Sequence, residues 1–169
     1  LSNEIDNIII GDNKVSSFLD KTIQEIDESD FNGVTAIYDQ EFYSYYYLKS
    51  VTIPDSVTTI GDNAFNSCYS LTEVTIGDSV TTIGDNAFRS CESLTEVTIG
   101  ENVTSMGTNL IYNCTSLTDI YLKSRIPPVL DGLLGASATT TIHVPIGSGN
   151  AYKNATNWSL YASQIVEDI

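Results

Sequence analysis

A 23-residue repeat constrains this chain more strongly than any other feature of its sequence. Residues 48–70 and 71–93 differ at only five positions, and the pattern Leu-x-x-Val-x-Ile occurs four times at this interval, with Ile and Leu as its last two residues in the fourth copy. A unit of this length cannot bury its own apolar face, so successive units must stack into a solenoid. The stacked apolar columns are Leu48, Leu71, Leu94 and Leu117; Val51, Val74, Val97 and Ile120; and Ile53, Ile76, Ile99 and Leu122.

Each repeat has three parts. The Leu-x-x-Val-x-Ile segment alternates like a strand and matches the strand of a leucine-rich repeat. A second extended piece follows, such as "VTTI" at residues 57–60, and then a glycine that turns the chain. Asp62 and Asp85 come next, placed to cap short helical turns whose Ala, Phe and Cys residues share one face. The predicted fold is an α/β solenoid, a right-handed leucine-rich-repeat coil with a parallel concave sheet, short helical turns on the other side and a C-terminal helical cap.

The repeat divides residues 1–169 into three parts of one solenoid domain. Residues 48–122 hold the regular repeats, residues 1–47 are degenerate N-terminal coils, and residues 123–169 are an irregular last coil and a cap. Ile5, Ile8 and Ile10 fit the strand pattern of the first coil. A last strand is expected at residues 139–145, and the tail is expected to form a capping helix, because the last coil would otherwise expose its core. One face of that helix would carry Tyr152, Ala155, either Trp158 or Ser159, and Ala162.

Composition narrows the possible partners. Seven basic residues against 22 acidic ones give a net charge of -15, which disfavours nucleic acid and anionic lipid surfaces. No apolar run is long enough to span a membrane. The chain begins at Leu1 without an export signal, which suggests a processed or trimmed chain and so is no evidence for the cytoplasm. The three cysteines are 23 residues apart, as expected for buried, reduced thiols in a core column.

Two stretches resemble a known family. The unit "SLTEVTIGDSVTTIGDNAFRSCE" is similar to the BspA-like leucine-rich repeats of bacterial surface proteins, and "IPPVLDG" with "IHVPIGSGNAYKNATNWSLYASQI" is similar to the way many of those proteins end. The resemblance covers about residues 34–169. It implies an extracellular or cell-surface protein, often secreted or lipid-anchored, and for some members of the family binding or adhesion to host or matrix proteins has been proposed. It implies no catalytic residue set.

The outward face of the concave sheet is the first candidate binding surface, because repeat proteins usually bind there. Alternation along the strands selects its residues. An alternative interpretation is that threonine is simply a good strand former and that the acids keep the face soluble. The candidate residues are Glu73, Thr75, Glu96, Thr98, Asp119, Tyr121, Lys123 and His143.

The segment "FYSYYYLKS", residues 42–50, is the second candidate. Repeat alignment places Phe42 and Tyr45 in core columns and leaves Tyr43 and Tyr46 outside, in reach of a sugar or a partner surface. The alternative is that these rings cover an irregular neighbouring coil. The expected partner is a host or matrix protein or a glycan, and the chain is expected to be a monomer.

Other classes of function have less support. Stacked acids, such as Asp55 above Asp78, could bind calcium, but turn capping explains them and no metal or cofactor is predicted. His143 is the only histidine, the cysteines occupy core columns, and an open sheet face does not shield a catalytic group, so the chain is not expected to be an enzyme. The alternative to a binding module is a structural spacer or stalk without its own ligand.

Overall fold

The computed structural model describes residues 9–11, 14–16 and 21–169, and side chains from residue 21 onward. The described chain is a parallel β-solenoid of about six coils that resembles a leucine-rich repeat. It contains one α-helix, α1 (Gly149–Asn154), and two 3-10 helices, Glu28–Phe31 and Trp158–Tyr161. In chain order the strands are β1 (Ile9–Gly11), β2 (Lys14–Ser16), β3 (Glu25–Ile26), β4 (Ala36–Ile37), β5 (Ser50–Ile53), β6 (Thr59–Ile60), β7 (Glu73–Ile76), β8 (Thr82–Ile83), β9 (Glu96–Ile99), β10 (Ser105–Met106), β11 (Asp119–Leu122), β12 (Val129–Leu130), β13 (Thr141–Val144) and β14 (Ile165–Glu167).

The Leu-x-x-Val-x-Ile segments form one seven-stranded sheet, here called the long-strand sheet, in the order β14-β13-β11-β9-β7-β5-β3. All its pairs are parallel, and in the regular coils a 23-residue shift sets the register, so that Val74 lies beside Val97 and Val97 beside Ile120; the shift is 25 residues between β3 and β5 and 22 between β11 and β13. Inward side chains are buried while outward ones are at least partly exposed, as the alternation predicts. The right-handed winding and the concave curvature stay predictions.

The second extended pieces form a seven-stranded sheet of their own, the short-strand sheet, in the order β1-β2-β4-β6-β8-β10-β12. Its pairs are parallel except that of β1 with β2, which is antiparallel. The prediction that Ile10 belongs to a first strand of the long-strand sheet is therefore wrong, because β1 lies at the edge of the other sheet. Ile5 and Ile8 lie outside the described residues.

The third side of each regular coil contains no helix, so the predicted short helical turns are wrong there. Residues 62–67 and 85–90 form consecutive turns. In a helix their amides would bond back within the same segment, but the amides of Asn63, Phe65 and Ser67 each donate to a carbonyl of the next coil at 2.8 Å. Asn63 and Ser67 adopt the left-handed conformation, with φ of 55° and 64°. Stacking against the next coil thus satisfies the backbone here, as it does in the two sheets.

Side-chain ladders fill the core between the three sides. Phe65 stacks on Phe42 at 4.8 Å between ring centroids and on Phe88 at 5.3 Å, with the rings nearly parallel. The thiols of Cys68, Cys91 and Cys114 are free and buried, as predicted, and each donates to a phenylalanine carbonyl of the preceding coil at 3.1–3.2 Å. Burial raises the pKa of the Cys91 thiol well above its usual value. Because all three thiols are buried, these cysteines are part of the packing.

The C-terminal cap is only partly helical, so the predicted helical cap is not confirmed. Helix α1 ends before Ala155, which is extended, and β14 then joins the edge of the long-strand sheet beside β13. Tyr152 is buried as predicted, and of the alternatives Trp158 and Ser159 it is Trp158 that is buried. The Tyr152 O–H and the Trp158 N–H donate to the carbonyls of Ser124 and Pro128, at 2.9 and 2.7 Å. The cap thus supplies donors to the irregular coil, whose β12 still pairs with β10. Within the part of the chain that the structure describes, no helix is long and apolar enough to cross a bilayer.

Candidate functional site

The outward face of the long-strand sheet carries the predicted acidic column. Glu73 is in register with Glu96, and Glu96 with Asp119, so three carboxyl-bearing residues lie on adjacent strands about 4.8 Å apart. Among the described residues, Glu73 and Glu96 have no ion-pair partner, whereas Asp119 contacts His143. The negative potential of this column is therefore least neutralised near Glu73 and Glu96.

The threonine column beside it ends in two aromatic rings. Thr75 is in register with Thr98, Thr98 with Tyr121, and Tyr121 with His143. The rings of Tyr121 and His143 are stacked, 4.4 Å between centroids and 14° between planes. Burial, followed by the charges of nearby carboxylates, raises the pKa of Tyr121, so its hydroxyl stays protonated and able to donate at neutral pH. The face thus changes from small hydroxyl side chains to a rigid aromatic pair.

His143 is held between two carboxylates. Its Nε2 lies 2.9 Å from Asp119 Oδ1, and its Nδ1 lies 2.8 Å from Asp168 Oδ2. Burial lowers the pKa of His143, but the hydrogen bonds to Asp119 and Asp168 and their charges outweigh burial and raise it. The hydrogen bond with His143 in turn lowers the pKa of Asp119. Because each ring nitrogen faces a carboxylate, the imidazolium fits this site best, with both N–H groups donating.

This arrangement connects three strands. Asp119 begins β11, His143 lies in β13, and Asp168 directly follows β14. The His143 side chain is only 13% exposed. Both ring nitrogens of His143 are thus already engaged, and His143 supports Tyr121 more than it offers contacts of its own.

A shallow groove adjoins the aromatic pair. It has a volume of about 300 Å³ and is lined by Glu96, Thr98, Tyr121, Lys123 and Ile169. Lys123 reaches across the glycine of the neighbouring coil, Gly100, and its Nζ lies 3.2 Å from Asp78 Oδ1. On the other side of this ammonium is a second depression of about 290 Å³, which Thr75 and Asp78 help to line. The structure thus brings five of the predicted residues around Lys123 and Tyr121, and Glu73 lies farther along the acidic column, between Ser50 and Glu96.

Tyr43 and Tyr46 lie away from this groove, in the turns that precede β5. Both are exposed, and Tyr46 stacks on Tyr69 of the next coil, 5.3 Å between centroids and 4° between planes. Phe42 and Tyr45 are buried, as the repeat alignment predicts. The candidate residues therefore form two surfaces, one on the sheet and one on the tyrosine edge.

Sequence reasoning missed two features of these surfaces. Asp168 and Ile169 complete the sheet-face site. The strand before them keeps the 23-residue shift, since Ile142 pairs with Ile165, but Glu167 stands where the pattern has an apolar residue, so the sequence signal is weak there. Glu41 lines a cavity at the tyrosine edge, and a signal for it exists: it stands 23 residues before Ala64, in an apolar column.

The stacked aspartates have partners within the fold. Asp62 Oδ1 accepts a hydrogen bond from the amide of Asp85, and Asp55 Oδ1 accepts one from the amide of Asp78, at 2.8 and 2.6 Å. The prediction that Asp62 caps its own turn is therefore wrong, since its acceptor serves the next coil. Within residues 21–169, no three His, Cys, Asp or Glu side chains are grouped as ligands for a metal ion.

Known proteins resemble this chain in sequence and in fold. The family model "BspA type Leucine rich repeat region" matches residues 35–159 in six copies. A solved structure of a T. pallidum leucine-rich repeat protein, TpLRR, is 27% identical, with a TM-score of 0.67, over 79% of this chain and 64% of that one, so the chain spans less than two thirds of that protein. A leucine-rich repeat protein from Bacteroides capillosus ATCC 29799 is 28% identical over 65% of this chain and 86% of that one, with a TM-score of 0.55. No curated protein matches the chain. Because the six repeat copies cover most of its length, the chain belongs to the BspA-type leucine-rich repeat family.

Proposed function

We propose that this protein is a non-catalytic, secreted or cell-surface adhesion module that recognises a host or matrix protein or a glycan through the outward face of its long-strand sheet. The observation that carries the proposal is the groove beside Tyr121, where a half-buried aromatic ring, a carboxylate and an ammonium meet on an otherwise uniform face. Rigid aromatic rings flanked by polar groups are the usual anchors of binding sites.

The groups around the groove have distinct roles in this proposal. Tyr121 offers a ring edge and a hydroxyl, and its stacking on His143 fixes its orientation, so little side-chain entropy is lost on binding. Glu96 and Lys123 present opposite charges on the two sides of the ring, which selects the orientation of a polar partner. The threonine column continues the contact surface towards the N-terminal coils with small hydroxyl groups.

Placement outside the cell and a non-catalytic role are supported by the family and the fold. The repeats are of the bacterial surface type, and repeat scaffolds of this kind are generally non-catalytic. The solenoid presents the groove as an open depression, in which water reaches every polar group. The fold needs no second copy to complete the groove, in keeping with a monomer.

The test is a binding screen of the purified protein against matrix proteins and a glycan array, followed by titration of any hit. We expect Tyr121→Ala and Glu96→Lys to weaken a genuine hit at least about tenfold, the effect of losing one anchor. The matched control is Glu92→Lys, which makes the same charge change four residues earlier, outside the sheet, and should leave the affinity unchanged.

Two results would contradict the proposal. A hit that is equally sensitive to Glu92→Lys and Glu96→Lys would reflect net charge and not the groove. A folded protein that binds none of the candidates at high micromolar concentration would favour a structural spacer that presents another part of a longer protein.

A further inference from the structure

A cavity at the tyrosine edge is separate from the sheet-face groove. It has a volume of about 170 Å³ and is lined by Lys21, Gln40, Glu41, Tyr43 and Tyr45. A single water needs roughly 10–15 Å³ measured in this way, so the cavity has room for a ligand group of several atoms.

Glu41 is the unusual residue in this cavity. Its side chain is buried, with 4% of the residue exposed, and its Oε1 has no hydrogen-bond partner in the described part of the chain. Burial raises the pKa of Glu41 to about 7. The column that contains Glu41 continues as Ala64, Ala87 and Leu110, all buried and apolar. A buried carboxylate oxygen without a hydrogen-bond partner destabilises the folded state, so this residue is unfavourable for folding alone. Positions that break a local rule in this way are where a functional role is expected.

The other lining groups favour a cation as the ligand. The ring of Tyr45 already has an ammonium nearby, that of Lys21, whose Nζ is 5.7 Å from the ring centroid and donates to the carbonyl oxygen of Tyr43 at 3.3 Å. Lys21 makes no ion pair with Glu41. A carboxylate oxygen beside an aromatic ring suits an organic ammonium, which the ring attracts through its face. A divalent metal fits poorly, because Glu41 is the only carboxylate among the described residues that line the cavity.

We propose that this cavity binds the side chain of a lysine from a partner protein, with the ammonium donating to Glu41 and the methylenes lying against Tyr43 and Tyr45. The exposed ring of Tyr43 lies at the mouth of the cavity, and Tyr46, stacked on Tyr69, extends the aromatic surface on which the partner would rest. The site is independent of the sheet-face groove and of the function proposed for it.

The probe is N-acetyl-lysine methylamide, and the control probe is N-acetyl-norleucine methylamide, which has a methyl group in place of the ammonium. Titration followed by the NMR signal of the Glu41 side-chain carboxyl should show saturable binding of the lysine probe only. Because the probe binds the ionised carboxylate, saturation to ten times its Kd should lower the pKa of Glu41 by about 1.

Two variants make the test specific. Glu41→Gln keeps the shape and removes the charge, and it should weaken the lysine probe about tenfold or more. Lys21→Met removes the competing ammonium and should leave the affinity equal or several-fold higher. Since the following coils have alanine in this column, Glu41→Ala serves as a second variant that folds and does not bind.

Three outcomes would overturn the proposal. Equal binding of the norleucine probe would make the cavity a nonspecific apolar site. No binding to either the natural protein or Lys21→Met would show that the carboxylate takes no ammonium ligand. Binding to Lys21→Met alone would show that Lys21 itself pairs with Glu41 in solution and that the cavity is closed to a partner.

Discussion

Replacing Asp62 tests whether the stacked aspartates serve as acceptors or as charges. Asp62 Oδ1 accepts a hydrogen bond from the amide of Asp85 at 2.8 Å. In the same way Asp39 accepts from the amide of Asp62, and Asp85 from the amide of Thr108, also at 2.8 Å. Gly84 lies directly against this carboxylate, where a side chain would collide with it. The geometry indicates that each carboxylate fixes the start of the turn in the following coil.

The two substitutions at this position should differ. Asp62→Ala removes the acceptor of the Asp85 amide, a change comparable to the loss of a helix cap, and should lower the free energy of unfolding by about 1–2 kcal/mol. Asp62→Asn keeps an oxygen at the same place. It also relieves repulsion from the neighbouring aspartates, at most about 1 kcal/mol for each pair at contact distance in water. The asparagine variant should therefore be as stable as the natural protein, or slightly more stable at low salt.

The assay is urea unfolding followed by circular dichroism, at low and moderate salt and with calcium or a chelator. The urea midpoint of Asp62→Asn should equal or exceed that of the natural protein, and the midpoint of Asp62→Ala should be lower than both. Any advantage of Asp62→Asn should shrink as added salt screens the repulsion between the stacked aspartates. If Asp62→Asn is as damaging as Asp62→Ala, the charge itself is needed and the acceptor interpretation is refuted. A calcium-dependent midpoint in the natural protein that Asp62→Asn abolishes would instead establish a cation site.

Three further predictions use the same unfolding measurement. Gly84→Ala should lower the free energy of unfolding by about 1–3 kcal/mol, because its Cβ would lie 2.6 Å from the Asp62 backbone nitrogen; an unchanged midpoint would contradict the close approach. The pKa of His143 is raised in the folded protein. The stabilisation that its imidazolium gives to the folded state is therefore complete at pH values below the unfolded-state pKa of about 6.5, and it is lost as the pH rises through the folded-state pKa. The urea midpoint should therefore decrease as the pH is raised from 6 towards 9. His143→Gln should remove the part of this decrease that His143 causes. Glu41→Ala should raise stability by about 1–3 kcal/mol, and a loss of stability would show that its carboxylate has a partner.

The strands were predictable because a parallel solenoid repeats the same environment every 23 residues. Val74 and Ile76 face the core, and so do the residues in register with them in the other regular coils. Alternation within a strand and periodicity between coils therefore identify the same residues. The third side was not predictable in this way. Ala64, Phe65 and Cys68 have spacings that suit one face of a helix, and the same spacings also suit a stacked series of turns. The choice depends on whether the amides bond within the segment or to the next coil, and local spacing does not contain that information.

The outward sheet residues were predictable for the same reason as the core, since they occupy the alternate positions of the same strands. What could not be predicted is the contact of His143 with Asp168. It depends on a strand that follows the cap and returns to the edge of the sheet, and in that strand Glu167 replaces an apolar residue of the repeat pattern. With Asp119 as its only partner, His143 would have one ring nitrogen available for a ligand. The sequence therefore favours a ligand-binding role for His143 over a structural one.

Departures from the repeat identify the two proposed sites. Tyr121 and His143 stand in a column of threonines, Lys123 follows two glycines, and Glu41 precedes two alanines in a buried column. The regular coils between them carry nearly identical residues, so they supply distance and rigidity without distinctive chemistry. Because each coil adds about 4.8 Å, such coils set the separation between a site near the N-terminal end and one near the C-terminal end. A structural role for the regular coils and a binding role for the irregular positions are therefore compatible in one chain.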